Sequence, residues 1–299
     1  MLNPPPLRIA INPAWKGRTI ESILRHELRF SRKQIITLKK RNGVFLDGRS
    51  VLVKERLEST GGELLILIPP TPQDILPEKI PLTILYEDPD LIVIDKPAGL
   101  LVHPVRFHLT GTLANALTYH WQQTGETASF HPVHRLDKQT SGLLLIAKSS
   151  WSHQQLFLQL RAHEIHRTYL AFTDGNPPRN SGLLSAPIKR AGTGMRRIVA
   201  ADGQTALTRY RVLRRSPTSA LLLLQIITGR THQIRVHLSH LGTALIGDPL
   251  YGQPSAWLDR PALHAAALRF RHPRSRQLLK FRAPLPPDLE TLGELLNLL

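Results

Sequence analysis

Apolar and polar positions follow one pattern up to about residue 70 and another beyond it. Ile20, Ile23, Leu24 and Leu28 recur at the spacing of one helical face. Ser31-Arg32-Lys33-Gln34 has the form of a capping box, and it predicts a second helix that Gly43 ends. In that helix Ile35, Ile36 and Leu38 supply apolar contacts, and Arg32, Lys33, Lys39, Lys40 and Arg41 supply charge. "VFLDGRSVLV" predicts two short strands about an Asp47-Gly48 turn, and "ELLILI", residues 63–68, a further strand. Residues 1–70 are therefore expected to form a small α+β domain. The Pro-rich stretch 69–81 predicts a stiff linker, with the boundary set at 71–81.

Residues 82–299 mix strands and helices. "LTILYED" and "LIVIDKP" predict a hairpin turning at Asp88-Pro89-Asp90. A helix is expected over 113–121, a buried strand over 143–147, and a helix capped by Ser150 running to about Arg161. "HRTYLAF", "TALTRYRVL" and "ALLLLQII" alternate or run apolar as strands do. "THQIRVHLSHLG" is helical, with Gly242 as its stop. Strands dominate without strict alternation with helices. The fold class is thus α+β, with a mixed, largely antiparallel sheet.

Charge changes the picture most. Lys and Arg number 39 against 22 acids, a net charge of +17, which favours a polyanionic partner, nucleic acid above all. The chain has no cysteine, which removes disulfides, thiol nucleophiles and Cys-containing metal sites. Its 14 histidines include no H-E-x-x-H, so no metal is expected. No G-x-G-x-x-G, P-loop or G-x-S-x-G occurs, so neither a nucleotide cofactor nor a serine hydrolase is expected. There is no run of eighteen apolar residues and no secretory leader pattern in residues 1–10, so a cytoplasmic protein without a membrane span is expected.

Three stretches could carry chemistry. Asp137 sits among His131, His134, Arg135 and Lys138, ahead of the loop signal Thr140-Ser141-Gly142. Nearby cations hold a carboxylate ionised, which suits a nucleophile or general base facing a cleft. An aspartate merely ion-paired to Arg135 is the plainer alternative. In "TGRTHQIRVHL", Arg230 stands where a strand gives way to a helix start, a place that favours anions, and His232 and Arg235 lie on that helix. A solvated surface helix would read the same way. Tyr169 shares a strand face with Arg167 and Ala171, and it suits stacking on a base as well as it suits a core position.

Taken together, these stretches resemble the RluA-type pseudouridine synthases. "HRLDKQTSGLLLIAK" is similar to the family's catalytic motif. "LIVIDKPAGLLVHP" (91–104), "HRTYLAF", "TGRTHQIRVHLSHLGTALIGDPLYG" (228–252) and "LHAAALRFRHP" (263–273) resemble its other motifs in type and order. The likeness spans about residues 82–285. It implies that Asp137 is the catalytic aspartate and that Tyr169 stacks on the target base and takes part in proton transfer. It further implies that Arg230 pairs with Asp137, and that Arg135 fills the space vacated by a flipped-out nucleotide. The reaction implied is conversion of uridine to pseudouridine in RNA, with no cofactor, no metal and one carboxylate where glycoside hydrolysis uses two. Ribosomal RNA, of the large subunit, is expected ahead of transfer RNA, and a monomer is the default. Residues 1–70 weakly resemble the alpha-L RNA-binding motif through the two helices and "GVFLDGRSV", although Asp47 stands where asparagine is usual and an acidic residue soon after Arg18 is missing. The resemblance thus adds Arg32, Lys33, Lys39, Lys40 and Arg41, with Arg135, His232 and Arg235, as RNA contacts. A non-catalytic RNA-binding protein on the same fold is the alternative.

Overall fold

The computed structural model describes residues 4–58, 60–106 and 108–299; residues 1–3, at the head of the expected first domain, lie outside them. The first domain comprises β1 (Leu7–Ala10), α1 (Ile20–His26), α2 (Arg32–Lys40), β2 (Val44–Leu46), β3 (Arg49–Ser50) and β4 (Glu63–Ile66). Its sheet runs β1-β4-β2-β3, so the sheet opens with a strand that the apolar pattern does not reveal. At α2 the capping box forms: the Ser31 hydroxyl accepts from the Gln34 N–H, and the Gln34 side chain accepts from the Ser31 N–H. Ile35 and Leu38 are buried, but Ile36 faces away from the core and is 45% exposed. Asp47 and Gly48 both take positive φ, 47° and 81°, which a two-residue hairpin turn requires. The Asp47 carboxylate also accepts from the Glu63 N–H at 2.7 Å, tying the turn to β4.

The second domain follows as β5 (Thr83–Glu87), β6 (Leu91–Lys96), α3 (Leu113–Thr124), β7 (His131–Pro132), β8 (Ser141–Ala147), α4 (Ser150–Arg161), β9 (His166–Asp174) and β10 (Ser181–Ser185). It continues with β11 (Ile188–Arg190), β12 (Arg197–Val199), β13 (Leu207–Arg215), β14 (Ser219–Ile226), α5 (Gln233–His240), β15 (Leu263–Arg271), β16 (Leu278–Arg282) and α6 (Pro287–Leu295). The main sheet runs β10-β13-β14-β9-β15-β8-β6-β5, with β16 on β15 and β7 on β8. Every pairing is antiparallel except β8 with β15, which pair in parallel at Ser141 with His264 and Gly142 with Ala265. Gly142 is required there. Its φ is 107°, and a Cβ would lie 2.4 Å from the Ala265 carbonyl oxygen. All seven residues of β8 are buried, because helices cover both faces, which is why this strand reads as a continuous apolar run. α3 and α5 pack on one face, with Ile92, Leu144, Tyr169, Leu222 and Leu238 between them and the sheet. α4 and α6 cover the other, over Leu145 and Phe270 and over Phe172 and Leu221 respectively.

Ser149, not Ser150, caps α4: its hydroxyl accepts from the Ser152 N–H, and Ser150 is the first helical residue. Residues 71–81 carry no helix or strand and lie along the second domain. The Thr71 backbone exchanges hydrogen bonds with the Ser129 hydroxyl, the Gln73 amide with the Phe130 backbone, and the Asn115 amide donates to Leu76 O. The first domain also docks directly. Trp151 of α4 enters its core beside Phe30, Gln34 donates to Ser150 O, Gln155 donates to Leu28 O, and Arg274 donates to the carbonyls of Pro5 and Pro6. Among the described residues, no helix is long and apolar enough to cross a membrane.

Candidate active site

Asp137 lies in the connection between β7 and β8, and the backbone on both sides of it is fixed. Leu136 is buried in the core, and Asp137 O accepts from the Thr140 N–H at 3.1 Å, closing a turn. Lys138 O accepts from the Gly99 N–H at 2.9 Å and from the Lys96 ammonium at 3.1 Å. Lys96 is fully buried at the end of β6 and also donates to Pro97 O and Leu100 O. Burial pushes its pKa down to about 7, opposed by the negative charge of Asp137. The Asp137 side chain remains 28% exposed, so its carboxylate faces an open cleft from a rigid base.

The opposite side of the cleft is the start of α5. Thr228 and the Arg230 N–H both bond to the Gln233 side-chain oxygen, at 2.8 and 2.9 Å, which sets the strand-to-helix junction. His232 precedes α5 with a φ of 57°. Its Nδ1 is 2.9 Å from the Tyr251 hydroxyl, and its Nε2 is 3.9 Å from Asp137 Oδ2. Burial lowers the His232 pKa, opposed by Asp137.

The cation beside Asp137 is Arg235. Its Nη1 lies 3.5 Å from Asp137 Oδ2. Its Nε and Nη2 grip Asp248 in a two-pronged pair at 2.7 and 2.8 Å, and its guanidinium lies over the Tyr251 ring at 5.0 Å. Asp248 is completely buried and also accepts from the N–H groups of Leu250 and Tyr251. This corrects two expectations. The expected pairing of Arg230 with Asp137 is not formed: Arg230 is exposed and its Nε donates to Thr205 O at 3.0 Å. Arg235, expected on the surface of its helix, is instead buried between two carboxylates. One helical turn separates it from His232, so both side chains reach the same carboxylate.

Tyr169 is buried on the face of β9 that packs toward α3 and α5. Burial pushes its phenol up to about 12; the charge of Arg167 opposes this and that of Asp137 adds to it. The phenol is therefore neutral through the physiological range and available as a donor. Arg135 is exposed and bridges the cleft, donating to the Thr231 hydroxyl at 3.4 Å. Arg32, Lys33, Lys39, Lys40 and Arg41 are all exposed on the first domain, and none makes an ion pair among the described residues.

Lys96, Asp248 and Tyr251 were missed from sequence. Lys96 and Asp248 had the strongest signal available, each a charge embedded in an apolar motif, "LIVIDKP" and "TALIGDPLYG". The trio Asp88, Asp90 and His272 has metal-ligand geometry, but its atoms are engaged. Asp88 accepts from Tyr86, from the Leu91 N–H and from the Asp90 N–H and pairs with His272, and Asp90 binds Arg274 and Ser152.

The chain is similar to known proteins along most of its length. Residues 90–240 match the family model for RNA pseudouridylate synthase. The RNA pseudouridine synthase YlyB of Bacillus subtilis is 40% identical over 272 residues, 89% of each chain. The ribosomal large subunit pseudouridine synthase D of Xanthomonas campestris is 37% identical over 305 residues, covering 96% of this chain and 91% of that one. The structure of human RNA Pseudouridylate Synthase Domain Containing 4 superposes with a TM-score of 0.60 at 28% identity, over 72% of this chain and 93% of that one. The family match and the named relatives define the class as RNA-modifying isomerases. Within that class the chain belongs to the RNA pseudouridine synthase family, and its relatives place it in the RluA type.

Proposed function

We propose that this enzyme isomerises uridines in large-subunit ribosomal RNA, with Asp137 as the group that acts on the sugar–base unit. The observation that carries this reading is the partly exposed Asp137 carboxylate, its backbone pinned by Lys96 and its oxygen 3.5 Å from a buried arginine. Arg235 aims the carboxylate, and Asp248 holds Arg235 in place. In the reaction the N1–C1′ bond breaks, the uracil rotates, and C5 bonds to C1′ while C5 gives up a proton and N1 takes one up. Atoms and electrons balance without a co-reactant. The target uridine leaves its stack to reach the cleft, at a cost of a few kcal/mol. Tyr169 then stacks on the uracil and serves the proton transfer from C5, and Arg135 enters the space the base vacates. Large-subunit RNA is favoured because the Xanthomonas relative carries that substrate in its name. The exposed cations of α2 supply phosphate contacts.

Turnover and binding measured together on one ribosomal RNA fragment test this assignment. Asp137→Asn should abolish turnover and leave affinity within about twofold, because phosphate contacts dominate binding. Loss of binding along with turnover would mark Asp137 as structural.

A further inference from the structure

Among the described residues, five lysine and arginine side chains are buried: Lys96, Lys148, Arg167, Arg235 and Arg260. Four have partners that account for their burial. Lys96 has three carbonyl oxygens, Lys148 has Glu87 and Glu126, Arg235 has Asp248, and Arg260 has Asp288. Arg167 is 6% exposed and makes neither a hydrogen bond nor an ion pair among the described residues; its Nε is enclosed without a partner. A guanidinium so nearly buried, with only its Nη ends left open and no counter-charge, is costly to hold, and an anion that the chain itself does not provide would offset that cost.

Its position says where that anion comes from. Arg167 is two residues before Tyr169 on the same face of β9. Its Nη1 lies 3.2 Å from where a Cβ at Gly229 would stand, so the absence of a side chain at Gly229 keeps that end of the guanidinium clear. His134 is also near enough to feel the charge: burial and, secondarily, Arg167 lower its pKa to about 3. Gly229 precedes Arg230 and Thr231, and His134 precedes Arg135. These are the two lips of the cleft, which the bond from Arg135 to Thr231 spans. Arg167 is therefore near the base of both lips, two residues along β9 from Tyr169.

We propose that Arg167 forms an anion subsite that binds a phosphodiester oxygen of the RNA strand beside the target uridine. This rests on the reading of the cleft as the place where the flipped uridine enters. A guanidinium presents paired donors to phosphate and so fixes the sugar's orientation over Asp137 as well as its position. A charged partner is favoured over a uracil carbonyl because only an anion offsets the buried charge.

The test uses the full chain and a ribosomal RNA stem-loop that the wild type binds. A single methylphosphonate, which removes one phosphate charge, is placed in turn at each linkage flanking the target uridine. At one linkage the wild type should lose about 10-fold in affinity, as expected for a charge-assisted hydrogen bond, and Arg167→Met should lose less than about twofold there. Arg167→Met keeps the side-chain length and removes an uncompensated charge, so it should fold at least as stably as the wild type. Arg167→Lys should keep the discrimination and covers the case in which the Met variant does not fold. Equal losses in wild type and Arg167→Met, or no sensitive linkage in the wild type, would overturn the subsite. So would slowed turnover in Arg167→Met with unchanged phosphate discrimination, which would place the contact on the base instead. The binding readout needs no turnover, and pseudouridine formation by the wild type on the unmodified stem-loop tests the parent reading separately.

Discussion

At the scale of single residues, the cleft is organised by one buried arginine between two carboxylates. Arg235 pairs with Asp248 through two bonds and approaches Asp137 with a third nitrogen, so removing it leaves the fully buried Asp248 without its partner. Arg235→Met should therefore cost about 3–5 kcal/mol of stability and abolish turnover. Arg235→Met combined with Asp248→Leu should recover most of the stability but none of the activity. Thermal denaturation with parallel turnover assays reads both, and recovery of turnover in the pair would contradict the role assigned to Arg235. The buried histidines give a pH prediction. His134 stays neutral in the fold down to about pH 3 and His264 down to about 4, both through burial, whereas in the unfolded chain each takes up a proton near 6.5. The unfolded state thus binds more protons below 6.5. Stability is complete above that pH and falls as pH drops toward 4, by up to roughly 1.4 kcal/mol per pH unit for each histidine. Asp88, lowered to about 2 although burial alone would raise it, begins to contribute only below its ordinary value of 3.8. Melting temperatures between pH 7 and 4.5 therefore isolate the histidines, and a flat profile would contradict their neutral burial. Asp137 stood out in the sequence because its charged neighbours are contiguous. The choice between Arg230 and Arg235 did not: the two differ by where the helix begins, and the αL backbone at His232 rotates that start in a way no spacing shows.

At the scale of elements, local chemistry was legible and tertiary closure was not. The Ser31 capping box, the Asp47-Gly48 turn and the β5–β6 hairpin each arise from residues within a few positions of one another, and each forms where the pattern put it. The cap of α4 slipped by one residue because Ser149 and Ser150 are both capable caps and only packing chooses between them. β1 and the β11–β12 ribbon escaped notice because each is short and takes its stability from a distant partner or from its own hairpin rather than from periodicity. The parallel contact of β8 with β15 joins residues more than 120 positions apart, and Gly142 was its one local sign. α2 makes its own prediction. Its cations face away from the core, so reversing Lys39, Lys40 and Arg41 to glutamate should leave the fold intact and weaken RNA binding. The log–log salt dependence should also become shallower, by about 0.7–0.9 for each phosphate no longer neutralised. Binding titrations over a salt series check this, and an unchanged slope with unchanged affinity would remove α2 from the RNA interface.

At the scale of the whole molecule, basic residues outnumber acidic ones by 39 to 22. The net charge of +17 favours a polyanion such as RNA, and in the proposed function Asp137 acts on a single nucleotide. The sequence marked the linker by its prolines, but not that residues 71–81 are pinned along the second domain or that Trp151 joins the cores of both domains. Those contacts hold α2 in a fixed relation to Asp137, so phosphate contacts by α2, if the salt series finds them, would bear on how RNA lies over Asp137. The most direct test of the account is tritium release from RNA labelled at uridine C5, using total RNA from cells that lack this protein, with free uracil measured in the same samples. The account predicts tritium release by the wild type, none by Asp137→Asn, and no free uracil from either. Free uracil would show a base-cleaving enzyme in place of an isomerase, and equal tritium release by Asp137→Asn would show that the chemistry does not depend on Asp137.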